Sequence, residues 1–112
     1  MRKDDAVRLQ HMLDAGREAR GFARGRSRSD LDSDRMLVLA LVKDLEIVGE
    51  AAHQVSEETR AQLPGLPWAD IIGMRHRLVH AYFEIDPEIL WQTVEQDLPP
   101  LVAALEEALR AR

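Results

Sequence analysis

Apolar residues recur at helical spacing along almost the whole chain. Val7, Leu9, Met12, Leu13 and Phe22 mark a first amphipathic helix over about residues 4–22, fading as glycine and arginine accumulate. A loop follows to about residue 30, where Asp30, Asp32, Ser33 and Asp34 supply N-cap oxygens and first-turn acids for the free N–H groups of a second, long helix. Residues 36–42 are apolar without a break, and Leu45, Ile47, Val48, Ala51, Ala52 and Val55 continue the pattern, which predicts burial on most sides. Lys43-Asp44, Glu46 and Glu50 interrupt it at a spacing that fits a helix and not a strand. Pro64-Gly65-Leu66-Pro67 ends this helix, because proline lacks the N–H a helix needs and glycine tolerates turn geometry. A third helix is expected from residue 67 or 68 to residue 82, burying Trp68, Ile71, Ile72, Leu78 and Val79. Asp86-Pro87-Glu88 reads as cap, first-turn proline and first-turn acid of a fourth helix, with Ile89, Leu90, Trp91 and Val94 on its apolar face. Pro99-Pro100 must break or restart it, and Leu101, Val102, Leu105 and Leu109 complete it. The pattern predicts one all-α domain over residues 1–112, a four-helix bundle whose last helix is interrupted at Pro99-Pro100.

Composition narrows the functions open to such a bundle. A chain of 112 residues can bury one core but not two. It contains no cysteine, which removes disulfides, thiolate zinc sites and thiol catalysis. No signal-peptide core opens the sequence and no apolar run reaches the roughly 18 residues that span a bilayer, so a cytoplasmic protein is expected. The net charge of −5 hides an asymmetry: between Gly16 and Ser29, Arg17, Arg20, Arg24, Arg26 and Arg28 face a single acid, Glu18. This stretch is a candidate surface for RNA or for an acidic partner, or else a solvated connector.

The third helix carries the chemistry. Arg75 and His80 are a pair able to act on a phosphodiester: a histidine titrates near neutral pH and can move protons, while a guanidinium stays charged and offers phosphate a two-pronged donor. On one ideal helix they would stand about 140° apart, so two copies meeting face to face would assemble the pair better than one. His76 and His80, four apart, also match two metal ligands on a helix face, but no third ligand stands at matched spacing; His11, Glu50 and His53 are only conceivable, and no metal or other cofactor is expected. Glu50 lies in a highly apolar helix and calls for a partner, with Arg75 or Arg77 as candidates. Gly49 and Gly73 are expected to permit close packing of another helix, and Trp68 and Trp91 to serve packing more than base stacking.

Taken together, Leu45-Glu46-Ile47-Val48-Gly49-Glu50-Ala51-Ala52, Leu66-Pro67-Trp68, Ile71-Ile72-Gly73-Met74-Arg75-His76-Arg77-Leu78-Val79-His80-Ala81-Tyr82-Phe83, Trp91 and Asp97-Leu98-Pro99 resemble the HepT-like ribonuclease family of the HEPN superfamily. The resemblance covers about residues 34–105, and Arg75, His76, His80 and Tyr82 fill the family's pattern of arginine, polar residue, three variable residues, histidine, any residue and tyrosine. It implies a HEPN-type bundle that forms homodimers, with the motifs meeting in a cleft at the interface. There RNA is cleaved without metal, Arg75 on the phosphate and His80 handling the proton, with His76 in a supporting position often held by asparagine; apart from the resemblance, Glu50 is expected to form a structural ion pair first and to support catalysis second. It further implies the toxin of a type VII HepT/MNT-like toxin–antitoxin pair, silenced when a minimal nucleotidyltransferase (MNT) antitoxin transfers AMP to Tyr82. The alternative is a non-catalytic HEPN module that binds a nucleotidyltransferase or a nucleotide.

Overall fold

A computed structural model of the chain describes residues 1–81 and 84–111, with residues 79–81 described by their backbone alone. Helix α1 spans Lys3–Ala23, opening with Asp4 and Asp5, whose charges suit the positive end of the helix dipole. Its buried face, Leu9, Met12, Leu13, Gly16 and Ala19, follows the helical period and is built of small residues toward its end. A Cβ at Gly16 would stand 3.1 Å from Val102 Cγ2, so this glycine lets the last helix approach closely. The chain then turns at Gly25, which has a φ of 74°, a conformation that disfavours a side chain.

The one-turn helix α2 (Asp30–Ser33) leads into α3 (Arg35–Gln54), the central element, which packs most extensively on α1. Asp34 caps α3 by accepting from the Leu37 N–H at 3.1 Å, as the run of acids predicted. The basic stretch is largely neutralised within the fold. Arg26 binds Asp34 at 2.7 Å and Asp30 at 3.4 Å; Arg28 reaches Glu88 at 2.6 Å and Asp32 at 3.0 Å. Arg17 pairs with Glu106 at 2.8 Å, and Arg20 with Glu95 at 2.9 Å while also donating to the Val94 carbonyl. Of the five arginines, Arg24 alone has no acidic partner among the described residues.

Three expectations need correction. The second helix does not run to Pro64 but stops at Gln54, and a separate helix α4 (Glu57–Gln62) follows. The Ser56 N–H, which a continuing helix would give to the Ala52 carbonyl, goes instead to Asp5 Oδ1 at 2.9 Å, and Arg60 donates to the carbonyls of Ala52 and His53 near the helix end. Nor is α3 buried on most sides. Met36 is 83% exposed and Leu39 and Ile47 are also exposed, all within about 80° around the helix axis. The third helix, finally, is two short ones, α5 (Trp68–Ile72) and α6 (Met74–Leu78), which end in a strand, β1 (Val79–Ala81). β1 pairs antiparallel with β2 (Glu84–Ile85), Val79 opposite Ile85 and Ala81 opposite Glu84.

Helix α7 (Pro87–Gln92) starts at Asp86, whose carboxylate accepts from the N–H groups of Glu88 and Ile89. The last helix is interrupted as expected, by a π-helical segment (Thr93–Asp97) placed just before the prolines, and resumes as α8 (Leu98–Arg110). The wider turn removes the demand for regular i→i−4 bonds where the two proline rings lack N–H groups. Leu45, Val48, Leu90, Val94, Leu98 and Leu105 meet in a single core beneath these helices. No helix of the described residues is long and apolar enough to cross a membrane.

One buried group works against the core. Asp44 on α3 is 2% exposed, and its Oδ2 accepts no hydrogen bond from the described residues. Burial first, and then the neighbouring Glu18 carboxyl, push its pKa up to about 7 from an ordinary 3.8. Between those two values the folded protein holds a proton that the unfolded chain has released, so stability contributed by this residue falls as pH rises through that window and is not penalised below it. Asp44→Asn is therefore expected to stabilise the protein at pH 8 by on the order of 2–4 kcal/mol and by much less at pH 4, measured by urea unfolding at the two pH values.

Candidate active site

The motif begins on α6, which is held to the bundle by Met74 and Leu78, both buried. Its position depends on Gly49: a Cβ there would come within 3.2 Å of the Ile71 carbonyl oxygen, so α5 lies directly against α3 as the glycine predicted. Gly73 plays a different part from the one expected of it. It caps α5, donating to the Ala69 carbonyl, and marks the bend into α6. Trp68 is half-buried against the core, its indole N–H donating to the Leu63 carbonyl at 3.0 Å, and Trp91 also packs on the core.

Arg75, His76 and Arg77 are all exposed on α6, yet they do not share one surface. Arg75 reaches a groove of about 410 Å³ between α1 and α3, lined by Arg8, His11, Lys43, Glu46, Ile47 and Glu50 among others. Its Nε lies 3.5 Å from Glu46 Oε1. Its two terminal nitrogens have no bond to the described residues, so they can donate to a planar anion such as phosphate. Arg77 donates to the Asp70 carbonyl at 3.1 Å and borders a different cavity, of about 340 Å³, between α5–α6 and α8.

Glu50 shares the groove with Arg75 but pairs with neither motif arginine: it accepts from Gln54 at 3.1 Å, and Glu46 holds the place beside Arg75. The residue sequence reasoning missed is thus one helical turn earlier on α3. The signal was present in the Lys43, Glu46, Ile47, Glu50 period, which puts four side chains on one face. His80 falls at the centre of β1 and not on a helix, so the helical angle drawn between it and Arg75 does not hold beyond Leu78. Tyr82, with Phe83, lies outside the described residues. Arg17, Arg20, Arg24, Arg26 and Arg28 line neither the Arg75 groove nor the Arg77 cavity. Among the described residues no three of His, Asp and Glu gather in an arrangement able to hold a metal ion.

A helical bundle of this order, with an exposed Arg75 on one of its short central helices and His80 in the strand that follows, is a HEPN-type fold. The chain belongs to the Ribonuclease HepT-like family, whose profile its residues 12–108 match. It is similar to the "Probable ribonuclease HepT" of Thermococcus cleftensis, 31% identical over 107 residues, covering 96% of this chain and 97% of the relative. A protein of Caldanaerobacter subterraneus subsp. tengcongensis named "Putative RNase" is 34% identical over 102 residues, 91% of each chain. Another so named, from Methanocaldococcus jannaschii, is 29% identical over 105 residues, 94% of this chain and 96% of the relative. No solved structure matches the chain.

Proposed function

We propose that the protein is a metal-independent endoribonuclease, the toxin of a type VII HepT/MNT-like toxin–antitoxin pair acting in the cytoplasm. Membership of a ribonuclease family supports RNA as the substrate. The observation that carries the mechanism is the placement of Arg75: the motif arginine lies at a groove with its two terminal nitrogens unbonded among the described residues. In the proposed reaction Arg75 binds a phosphodiester and offsets the charge that grows on it. The ribose 2′-OH attacks its own phosphorus, giving its proton to one His80, while the departing 5′-oxygen receives a proton from the other. The products are a 2′,3′-cyclic phosphate and a 5′-hydroxyl, and no water is consumed in this step.

Two His80 side chains require two copies of the chain. The exposed apolar row of Met36, Leu39 and Ile47 supports a homodimer, because Ile47 belongs both to that row and to the Arg75 groove, so a partner seated there would close the groove into a cleft. His76, beside Arg75 on α6, and Glu50 act in this reading as supporting polar groups. Arg77 and Arg24 remain the cations best placed for RNA or antitoxin contact outside the groove, since Arg17, Arg20, Arg26 and Arg28 already hold acids of the fold. Control falls to Tyr82: an antitoxin nucleotidyltransferase moves AMP from ATP to the phenol oxygen and releases pyrophosphate, placing bulk and negative charge where substrate phosphate would bind.

The purified protein is expected to cut RNA in the presence of EDTA and to leave DNA of the same sequence whole, because only ribose carries the nucleophile. After co-expression with a nucleotidyltransferase antitoxin its mass should rise by about 329 Da per AMP, and the rise should vanish in Tyr82→Phe. RNA binding without cutting by the unmodified protein would overturn the enzymatic reading in favour of a binding module.

A further inference from the structure

Beyond Arg75, the cations that matter for RNA are those without an acid already beside them. By that measure residues 17–28, the most basic part of the sequence, are mostly spent, and the unspent charge lies elsewhere. Arg8 on α1 and Lys43 on α3 have no ion pair or hydrogen bond to the described residues, and both line the groove that Arg75 enters. His11, one turn beyond Arg8, faces the same space. The acids of the groove are each engaged, Glu46 by Arg75 and Glu50 by Gln54. Arg8, Lys43 and Arg75 against Glu46 and Glu50 leave the groove at +1 within a protein of net charge −5, which makes it a local anion-attracting channel on an acidic surface. Its volume of about 410 Å³ is within the range of small-ligand clefts, roughly 300–1,000 Å³.

From this, and resting on the ribonuclease reading, we infer that the α1–α3 groove is a track for the backbone of single-stranded RNA, with Arg8 and Lys43 binding the phosphates next to the one held by Arg75. Arg8 is half-buried where it lines the groove, so its aliphatic part can be covered while the charge keeps contact with water. The groove joins the first and third helices to the motif helix, so RNA lying in it runs directly to the reacting phosphate. The two cations stand back from the chemistry and act on binding.

The test is the affinity of a single-stranded RNA oligonucleotide for Arg8→Ala, Lys43→Ala and the double variant, by fluorescence anisotropy over a series of KCl concentrations, together with kcat at saturating RNA. Both residues are outside the core, and circular dichroism confirms each variant's fold. Each single change is expected to raise Kd about 3–10-fold, to lower the slope of log affinity on log salt by about 0.7 for each phosphate left without its cation, and to leave kcat within about twofold of the parent. Arg110→Ala, on the exposed end of α8, should change none of these. A wild-type protein that cuts RNA, with Kd and salt slope unchanged in the double variant, overturns the track alone. A fall in kcat with unchanged Kd overturns it too. A wild-type protein that neither binds nor cuts RNA overturns the ribonuclease reading, and the track with it.

Discussion

Arg75→Ala is expected to lower kcat for RNA cleavage by about 10²–10³-fold, with little change in stability, and His80→Ala to lower it by about 10²–10⁴-fold. The first figure is the usual cost of removing one preorganised donor to a developing oxyanion, and the second that of losing a positioned proton-transfer group. Both interactions strengthen as charge moves in the transition state, so kcat and kcat/KM should fall together. Arg75→Lys is the informative intermediate. It keeps a positive charge but loses the planar fork, and its activity should lie between those of the wild type and alanine. Stability should be spared because the Arg75 side chain is 58% exposed and its ion pair with Glu46 spans 3.5 Å, a surface contact of little worth. Single-turnover cleavage with equilibrium unfolding of the same samples separates chemical loss from structural loss.

The second large effect belongs to Asp5. This carboxylate is 3% exposed and accepts three hydrogen bonds: from the Ser56 N–H at 2.9 Å, the Ser56 hydroxyl at 2.6 Å and the Thr59 hydroxyl at 2.6 Å. Burial works to raise its pKa, but the bonds from Ser56 and Thr59 outweigh burial and hold the carboxyl below the usual range. Asp5→Ala removes a charged acceptor and leaves donors without partners, one of them on Thr59, which is itself buried. A loss of about 3–4 kcal/mol is expected at neutral pH, from the cost of unsatisfied buried donors and of hydrogen bonds to a charged group. Because the folded-state pKa is depressed, this contribution is fully present above the ordinary 3.8 and is lost as pH falls below it. Urea unfolding at pH 7 and pH 3 should therefore show a smaller gap between the wild type and Asp5→Ala at the lower value.

The same residue explains why part of the fold was hidden in the sequence. Features set by neighbours within a few residues were legible. Asp34 caps α3 and Asp86 caps α7, and the last helix breaks beside Pro99-Pro100 as proline chemistry requires. The end of α3 at Gln54 was not, because its cause, Asp5, lies 51 residues away from Ser56 and shows no local sign. The basic stretch misled for a similar reason. Its arginines look unpaired in sequence, but the acids that neutralise Arg17 and Arg20 arrive from 89 and 75 residues further on. The apolar run at the start of α3 predicts burial, and only the packing of its neighbours shows that Met36 and Leu39 remain outside.

For the site, chemistry was more legible than geometry. Arg75 stands exposed at a groove, but its neighbour there is Glu46 and not Glu50, since the entry angle of α6 is fixed by the Gly73 bend and the Gly49 contact. Helical spacing could not place His80, because the chain leaves the helix after Leu78 and continues as a strand paired with Glu84–Ile85. Arg8 and Lys43 carry no motif at all, and they come together only through the packing of α1 on α3.

The central claim is that Arg75 and His80 direct the 2′-hydroxyl of RNA onto its own phosphate. It is tested most directly by mass spectrometry of the 3′ ends that the purified protein releases from a defined RNA in EDTA. A 2′,3′-cyclic phosphate formed by the wild type and absent with His80→Ala is the predicted result. A 3′-hydroxyl end, or a cyclic phosphate formed equally well by His80→Ala, would contradict it.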